Sequence, residues 1–267
     1  MKRKKSNWFL PLAVISMILM MTVSCEKDDG DDSMIEDGTT GTVTDIDGNE
    51  YKTVYINGKE WMAEDLRTTK YNDGTDISTG LSDEDWGNAE QGAYAIYPYD
   101  LEEANGIDSD SEMIDAYGLL YNWHAVDSEK GLAPEGWRVP TLEEWEELEE
   151  YIENNYGDIT VATALKSCRQ VNSPLGGNCA TSEHPRWDED EDHGTDKFGF
   201  SALPAGDRAH YGDFFNLGHM WTAWSATPEE NDPEKAYWVR LRDNSDAFFV
   251  GDFDEKITGF SVRCVKD

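Results

Sequence analysis

The stretch YGLLYNWHAVDSEKGLAPEGWRVPTLEEWEEL, residues 117–148, decides the fold class of this 267-residue chain. Its first part carries Tyr117, Leu119, Leu120, Tyr121, Trp123, Ala125 and Val126 and reads as a buried strand with its approach. Gly131, Pro134 and Gly136 then punctuate a loop. A sharp helix start follows. Thr141 can cap the first turn, Glu144 stands at capping-box spacing, and Pro140 holds Val139 out of helical backbone. Leu142, Trp145, Leu148 and Ile152 recur at three- and four-residue steps, so the spacing predicts one amphipathic helix to about Asn155. Glu143, Glu146, Glu147, Glu149 and Glu150 cover its other face and read as a solvated surface rather than a metal site.

Upstream, residues 41–62 read as three strands joined at Asp47-Gly48 and Asn57-Gly58, two hairpin signals. Asp45 and Asp47 loosely imitate a calcium loop, but the distal Glu is missing and Asp-Gly is ordinary turn chemistry. Residues 71–115 are polar and loop-rich. Trp86 and the 94–99 segment are expected to pack inward, and 100–115 to form a solvated acidic excursion. Downstream, residues 160–166 read as a second short helix. Cys168 and Cys179 bracket a Gly/Pro/Asn loop and read as a disulfide in an oxidising compartment. Residues 184–196 hold the densest acidic cluster. Asp188, Asp190 and Asp192 alternate as in a calcium loop, yet His193 stands where Gly is required, so a solvated loop competes with a Ca²⁺ site. Strands are expected at 198–208, 214–217, 221–227, 237–241, 248–250 and 259–265. A helix-bearing middle followed by short strands gives an α+β class with antiparallel pairing.

The N-terminus has the form of a signal peptide: basic Lys2 to Lys5, an apolar run over 8–23 too short for a membrane span, then Ser24 before Cys25. Cys25 is therefore a lipidation candidate, although Thr22 departs from the usual Leu and leaves plain secretion as an alternative. The expected organisation is signal peptide 1–24, acidic tether 25–40 and one domain over 41–267. The formal net charge is −34, and it falls by a further four when the basic leader is removed. Such a field disfavours nucleic acid and anionic lipid headgroups as partners.

Several motifs together resemble the Fibrobacter succinogenes major paralogous domain, a family common in surface lipoproteins of the Bacteroidetes–Fibrobacteres group. They are YGLLYNWHAV and GWRVPTLEEWEEL, TDIDGNEYKTVYINGKEWMAEDLRTTKYNDG (residues 44–74), FGFSALPAGDR (198–208), WTAWSAT (221–227), AYWVRL (236–241) and GFSVRCVKD (259–267). The resemblance implies a C-type-lectin-like fold in its formylglycine-generating-enzyme variant, with short antiparallel strands, one or two helices and long loops. It implies no generic activity. The acidic residues after Cys25 resemble a surface-export signal, so an outer-membrane, cell-surface location is expected. Relatives often carry Cys where this chain has Ala133, which would partner the terminal Cys264; its absence implies a buried free thiol at Cys264, with another cysteine partner left open.

Three functions are weighed. A non-catalytic binding module for an extracellular glycan or protein comes first, with Asp207, Arg208, Tyr211, Asn216, Trp221, Trp238 and Arg240 as candidate ligand-binding residues, because aromatic faces stack on sugars or anchor interfaces while Asp, Asn and Arg add directional bonds. Trp224 and Trp238 sit at strand centres, where a core role competes; Trp221, Tyr211 and Asn216 are expected at the surface. The calcium-lectin triplets are absent, so no cofactor is required and Ca²⁺ at the 188–192 cluster is the one metal considered. A structural or adhesive envelope component is the alternative. A carboxylate-based hydrolase is a weaker third, since it needs two carboxylates at a defined separation and no pair is singled out; no catalytic residue is assigned.

Overall fold

Two hairpins open the fold. The structure, a computed structural model, describes residues 35–167, 184–187 and 194–267. Strand β1 (Thr40–Thr44) pairs antiparallel with β2 (Glu50–Ile56), and β2 with β3 (Lys59–Met62). Asn57 and Gly58 take φ of 54° and 71°, the mirror-image turn that Asn-Gly favours. In the first turn Asp45 accepts from Asn49 and from the Tyr51 hydroxyl at 2.6 Å, while Asp47 holds Thr69 and Lys70. Both carboxylates therefore brace the hairpin, in keeping with a turn rather than a calcium loop. The hydrogen-bonded fold also reaches back into the stretch read as tether: Asp37 accepts from the Tyr151 and Tyr156 hydroxyls at 2.7 and 2.9 Å.

The next segment departs from the expectation of loop and strand. It contains α1 (Asp83–Gly87), β4 (Tyr94–Ala95), α2 (Asp110–Tyr117), β5 (Leu120–Tyr121) and α3 (Trp123–Val126). The last part of the acidic excursion is thus helix α2, capped by Ser109 and burying Met113, Ala116 and Tyr117. The apolar run after it is strand for two residues only. Asn122 ends it, because its side-chain oxygen accepts from Ala93 N and from Ala125 N and caps α3.

Strand β6 (Trp137–Arg138) leads into α4 (Leu142–Asn155), and α5 (Val161–Leu165) follows. The Thr141–Glu144 capping box is formed as predicted, and Trp145, Leu148 and Ile152 are buried. Glu144 is also paired with Arg138 and with Lys59 at 2.9 Å. The C-terminal third contributes β7 (Ala205–Arg208), β8 (Phe214–Leu217), β9 (Met220–Pro228), β10 (Lys235–Arg242), β11 (Phe249–Glu255) and β12 (Val265–Lys266). Strand at 198–208 is confined to β7, since Asp196 and Ser201 adopt left-handed backbone and lock a turn in which Ser201 N and Oγ donate to Asp196. The final run 259–265 is likewise not one strand: it makes isolated bridges to Arg208, Tyr121 and Ala223 before β12.

The main sheet has the order β1-β2-β3-β12-β6, and a second sheet has the order β11-β10-β9. Both are covered on two faces. Tyr51, Met62, Trp224, Trp238, Phe260 and Cys264 enter one core, and Val54, Trp61, Trp145, Trp221, Val239 and Val265 the other. Every described tryptophan is buried. Cys264 is a fully buried free thiol in the core that also holds Ala133. The fold is α+β, with α2 and α4 as its longer helices and short turns elsewhere. Among the described residues no helix is long and apolar enough to cross a membrane. Cys25, Cys168 and Cys179, and Asp188, Asp190 and Asp192, lie outside the described residues.

A buried ion pair joins the two ends of the domain. Arg263 donates to Asp65 Oδ1 through Nε (2.9 Å) and Nη2 (2.7 Å), and through Nη1 to the Phe200 carbonyl. Trp221 Nε1 reaches both Asp65 oxygens at 3.1 Å. Burial pushes the Asp65 carboxyl upward, opposed by the Arg263 charge and the Trp221 donor. We take Asp65 as ionised, because its protonation would strand a permanently charged guanidinium in the core.

Two outcomes follow from these contacts. Asp65→Asn should lower unfolding free energy by about 3–5 kcal/mol in urea titration, while the Asp65→Leu/Arg263→Met pair should recover most of that loss. Burial disfavours ionised Glu144, but hydrogen bonds from Arg138 and Lys59 outweigh it and hold the carboxyl at about 2, below the ordinary 4.5. A depressed carboxyl stabilises the fold above its unfolded value, and that stability is lost as pH falls from about 4.5 towards 2. Glu144→Gln should therefore flatten the decline of denaturation midpoint across that window.

Candidate functional site

The face of β10 that sends Trp238 into a core also carries two part-exposed arginines with uncommitted donors. Trp238 and Arg240 lie on one face of the strand, and register pairs them with Trp224 and Thr222 of β9. The next residue of the same alternation is Arg242. Arg240 rests on the Trp238 ring, 4.1 Å from its centroid, and Arg242 on Phe249 at 4.7 Å. Arg240 Nε donates to Thr222 Oγ1 at 2.8 Å. Its two Nη groups have no hydrogen-bond partner among the described residues, and neither has the Arg242 guanidinium, whose Nε is buried. Both arginines are part-exposed, so their ends reach solvent. Burial draws the Arg240 group downward, with Asp207 pulling the other way and Arg242 adding repulsion.

Hairpin β7–β8 closes one side of this face. Asp207 is buried and accepts from Asn216 Nδ2 at 2.6 Å. Its carboxyl is pushed up by burial, against the Asn216 donor and the Arg240 charge. Asn216 has φ of 66°, left-handed backbone that only a few side chains tolerate, and its amide reaches Asp207 from there. Beyond the hairpin, Tyr211 and Phe215 are exposed and pack edge to face at 6.3 Å. Next to them His210 Nδ1 lies 3.1 Å from Glu255 Oε2, and together with Asp254 these side chains can bring three ligand atoms within 4.8 Å of one another.

The structure sorts the seven sequence-derived candidates. Asp207, Asn216, Trp238 and Arg240 come together on this one face. Tyr211 is exposed but stands apart with Phe215. Two expectations need correction. Trp221 is fully buried rather than at the surface, because it pairs with Leu241 on the opposite strand face and its indole donates to Asp65. Arg208 is a brace: it donates to the Gly212 and Leu81 carbonyls and to Asp83, and lies 4.4 Å over the fully buried Trp86. Arg242 and Phe249 were missed. The alternation Trp238, Arg240, Arg242, two residues apart in a strand, is the signal that could have found Arg242.

Two depressions compete with this face. A cleft of about 300 Å³ lies over Asp65, Tyr117, Ser201 and Arg263. Asp65 is committed there to Arg263 and Glu64 to Arg67, which marks it as a crevice over the ion pair. A wider polar groove of about 800 Å³ holds Asp76, Glu90, His124, Asp127 and Lys130. Burial, helped by the Lys256 charge, lowers the proton affinity of His124 there. Its only aromatic lining, Tyr71, is buried and covered by Lys130.

The protein is an α+β domain of short antiparallel strands and few helices. The chain belongs to the Fibrobacter succinogenes major domain family, whose model matches residues 54–266. No curated protein and no solved structure gives a significant match.

The Asp207–Asn216 contact can be tested directly. Asn216→Ala combines left-handed strain with a lost donor to a buried carboxylate and should cost about 1–3 kcal/mol, whereas Asn216→Gly should cost about 1 kcal/mol less, by thermal or urea denaturation.

Proposed function

We propose that the domain is a non-catalytic, C-type-lectin-like binding module for an extracellular glycan or protein, carried on the outer membrane through a lipid at Cys25. The observation that carries this reading is Arg240, held over Trp238 with both Nη groups uncommitted beside buried Asp207. A stacked guanidinium has lost little freedom still to lose, so its donors are pre-organised for a ligand. Apart from that face, the exposed Tyr211–Phe215 pair offers apolar area suited to sugar faces or a protein interface. The compact unit spans Met34–Asp267.

The test is a glycan-array and pull-down screen of residues 26–267, with calcium and with chelator, comparing wild type with Arg240→Ala. The expected result is capture of a glycan or a protein that weakens about tenfold or more in the variant. Protein capture alone would favour the adhesive form of the module. Calcium dependence would bring Asp188, Asp190 and Asp192 into the site. Silence in every arm would overturn the reading.

A further inference from the structure

We propose that Arg240 and Arg242 form a receptor for the oxyanion of an acidic sugar, a single carboxylate or sulfate group on an otherwise neutral glycan. The inference deepens the binding-module reading and rests on it.

Three observations carry it. First, both guanidinia on this face keep donors without partners, although the exposed carboxylate of Asp252 stands opposite Trp238. Arg242 makes no hydrogen bond or ion pair through its side chain among the described residues, Arg240 makes one, and the Nε of Arg242 and the Nε1 of Trp238 are buried without an acceptor. Guanidinium forks match planar carboxylate and tetrahedral sulfate oxygens, which can accept from the Nη groups of the two part-exposed arginines. Second, the lack of a carboxylate on Arg242 is not for want of supply. The chain has 56 Asp and Glu against 22 Lys and Arg. Third, the two guanidinia are held close despite their mutual repulsion, each fixed on an aromatic ring, over Trp238 at 4.1 Å and over Phe249 at 4.7 Å. An oxyanion between them relieves that repulsion.

The surrounding charge limits the ligand. Asp207, Asp252 and Asp254 face Arg240, and the whole chain is at −34. At physiological salt the screening length is about 8 Å. An oxyanion therefore gains only in direct contact with the Nη groups, and beyond that contact a polyanion meets an acidic surface. The site therefore fits one isolated acidic sugar and discriminates against acidic polymers.

The test uses residues 26–267 and follows the arginine Nε–Hε NMR signals, assigned with Arg240→Lys and Arg242→Lys. Methyl glucuronoside and methyl glucoside 6-sulfate are titrated against methyl glucoside, with sodium acetate as the control for charge without sugar. The expected result is a saturable shift of both signals by at least one acidic sugar, about tenfold tighter than the neutral glucoside and weaker in raised salt. Equal affinity for acetate would overturn the sugar half of the proposal. Unmoved arginine signals with both acidic sugars, or equal shifts with the neutral one, would overturn it whole. The outcomes separate from those of the capture screen. Capture with unmoved arginine signals sinks this inference alone, whereas moved signals without capture leave the oxyanion site and sink the module.

Discussion

The buried pair of Asp65 and Arg263 is the constraint on which the rest of the domain depends. The partners are 198 residues apart in sequence. Around them the backbone is stitched in register, with Leu66 N on the Val262 carbonyl and Met62 N on the Cys264 carbonyl. A buried ion pair adds little net stability over an apolar replacement, because desolvation offsets most of its attraction. What it does impose is uniqueness: only one register of the last segment places Arg263 against Asp65, Trp221 and the Phe200 carbonyl together.

The aromatic cores form around that register. Arg263 lies 4.5 Å over Phe200 and 5.2 Å over Trp221, and Trp221 in turn meets Trp145 of α4 edge-on at 6.1 Å. The helix is thereby tied to the second sheet through rings, in addition to the hydrogen bond from Leu142 N to Thr227 Oγ1 at 3.0 Å. The same strand that gives Trp221 to one core gives Trp224 to the other, and Thr222 between them is itself fully buried. Opposite Thr222 the neighbouring strand carries Arg240, which is only part-buried.

Much of the local structure was legible before any coordinates. The capping box at Thr141, the stripe of Leu142 to Ile152 and the Asn57-Gly58 turn are set by contacts within four residues, and the structure has them as read. The run 117–126 was misread because apolar content alone does not separate a short strand from a buried helical turn. The side-chain cap from Asn122 made the difference. Trp221 was misplaced for a different reason: strand parity decides which core a residue enters, and two aromatic residues in one motif, Trp221 and Trp224, fall on opposite faces.

By itself the sequence determined the α+β class, the hairpins, the long helix with its cap and the family, because turn, cap and periodicity chemistry acts over a few residues. Only the tertiary structure decided that Arg263 closes the domain on Asp65, that Arg208 is a brace over Trp86, and that Arg240 and Arg242 are left facing solvent with donors uncommitted. The reason is physical: whether a charge finds a partner depends on which distant segments chain closure brings alongside it. In a chain this rich in carboxylates, no inspection of neighbours in sequence can tell a paired arginine from an unpaired one.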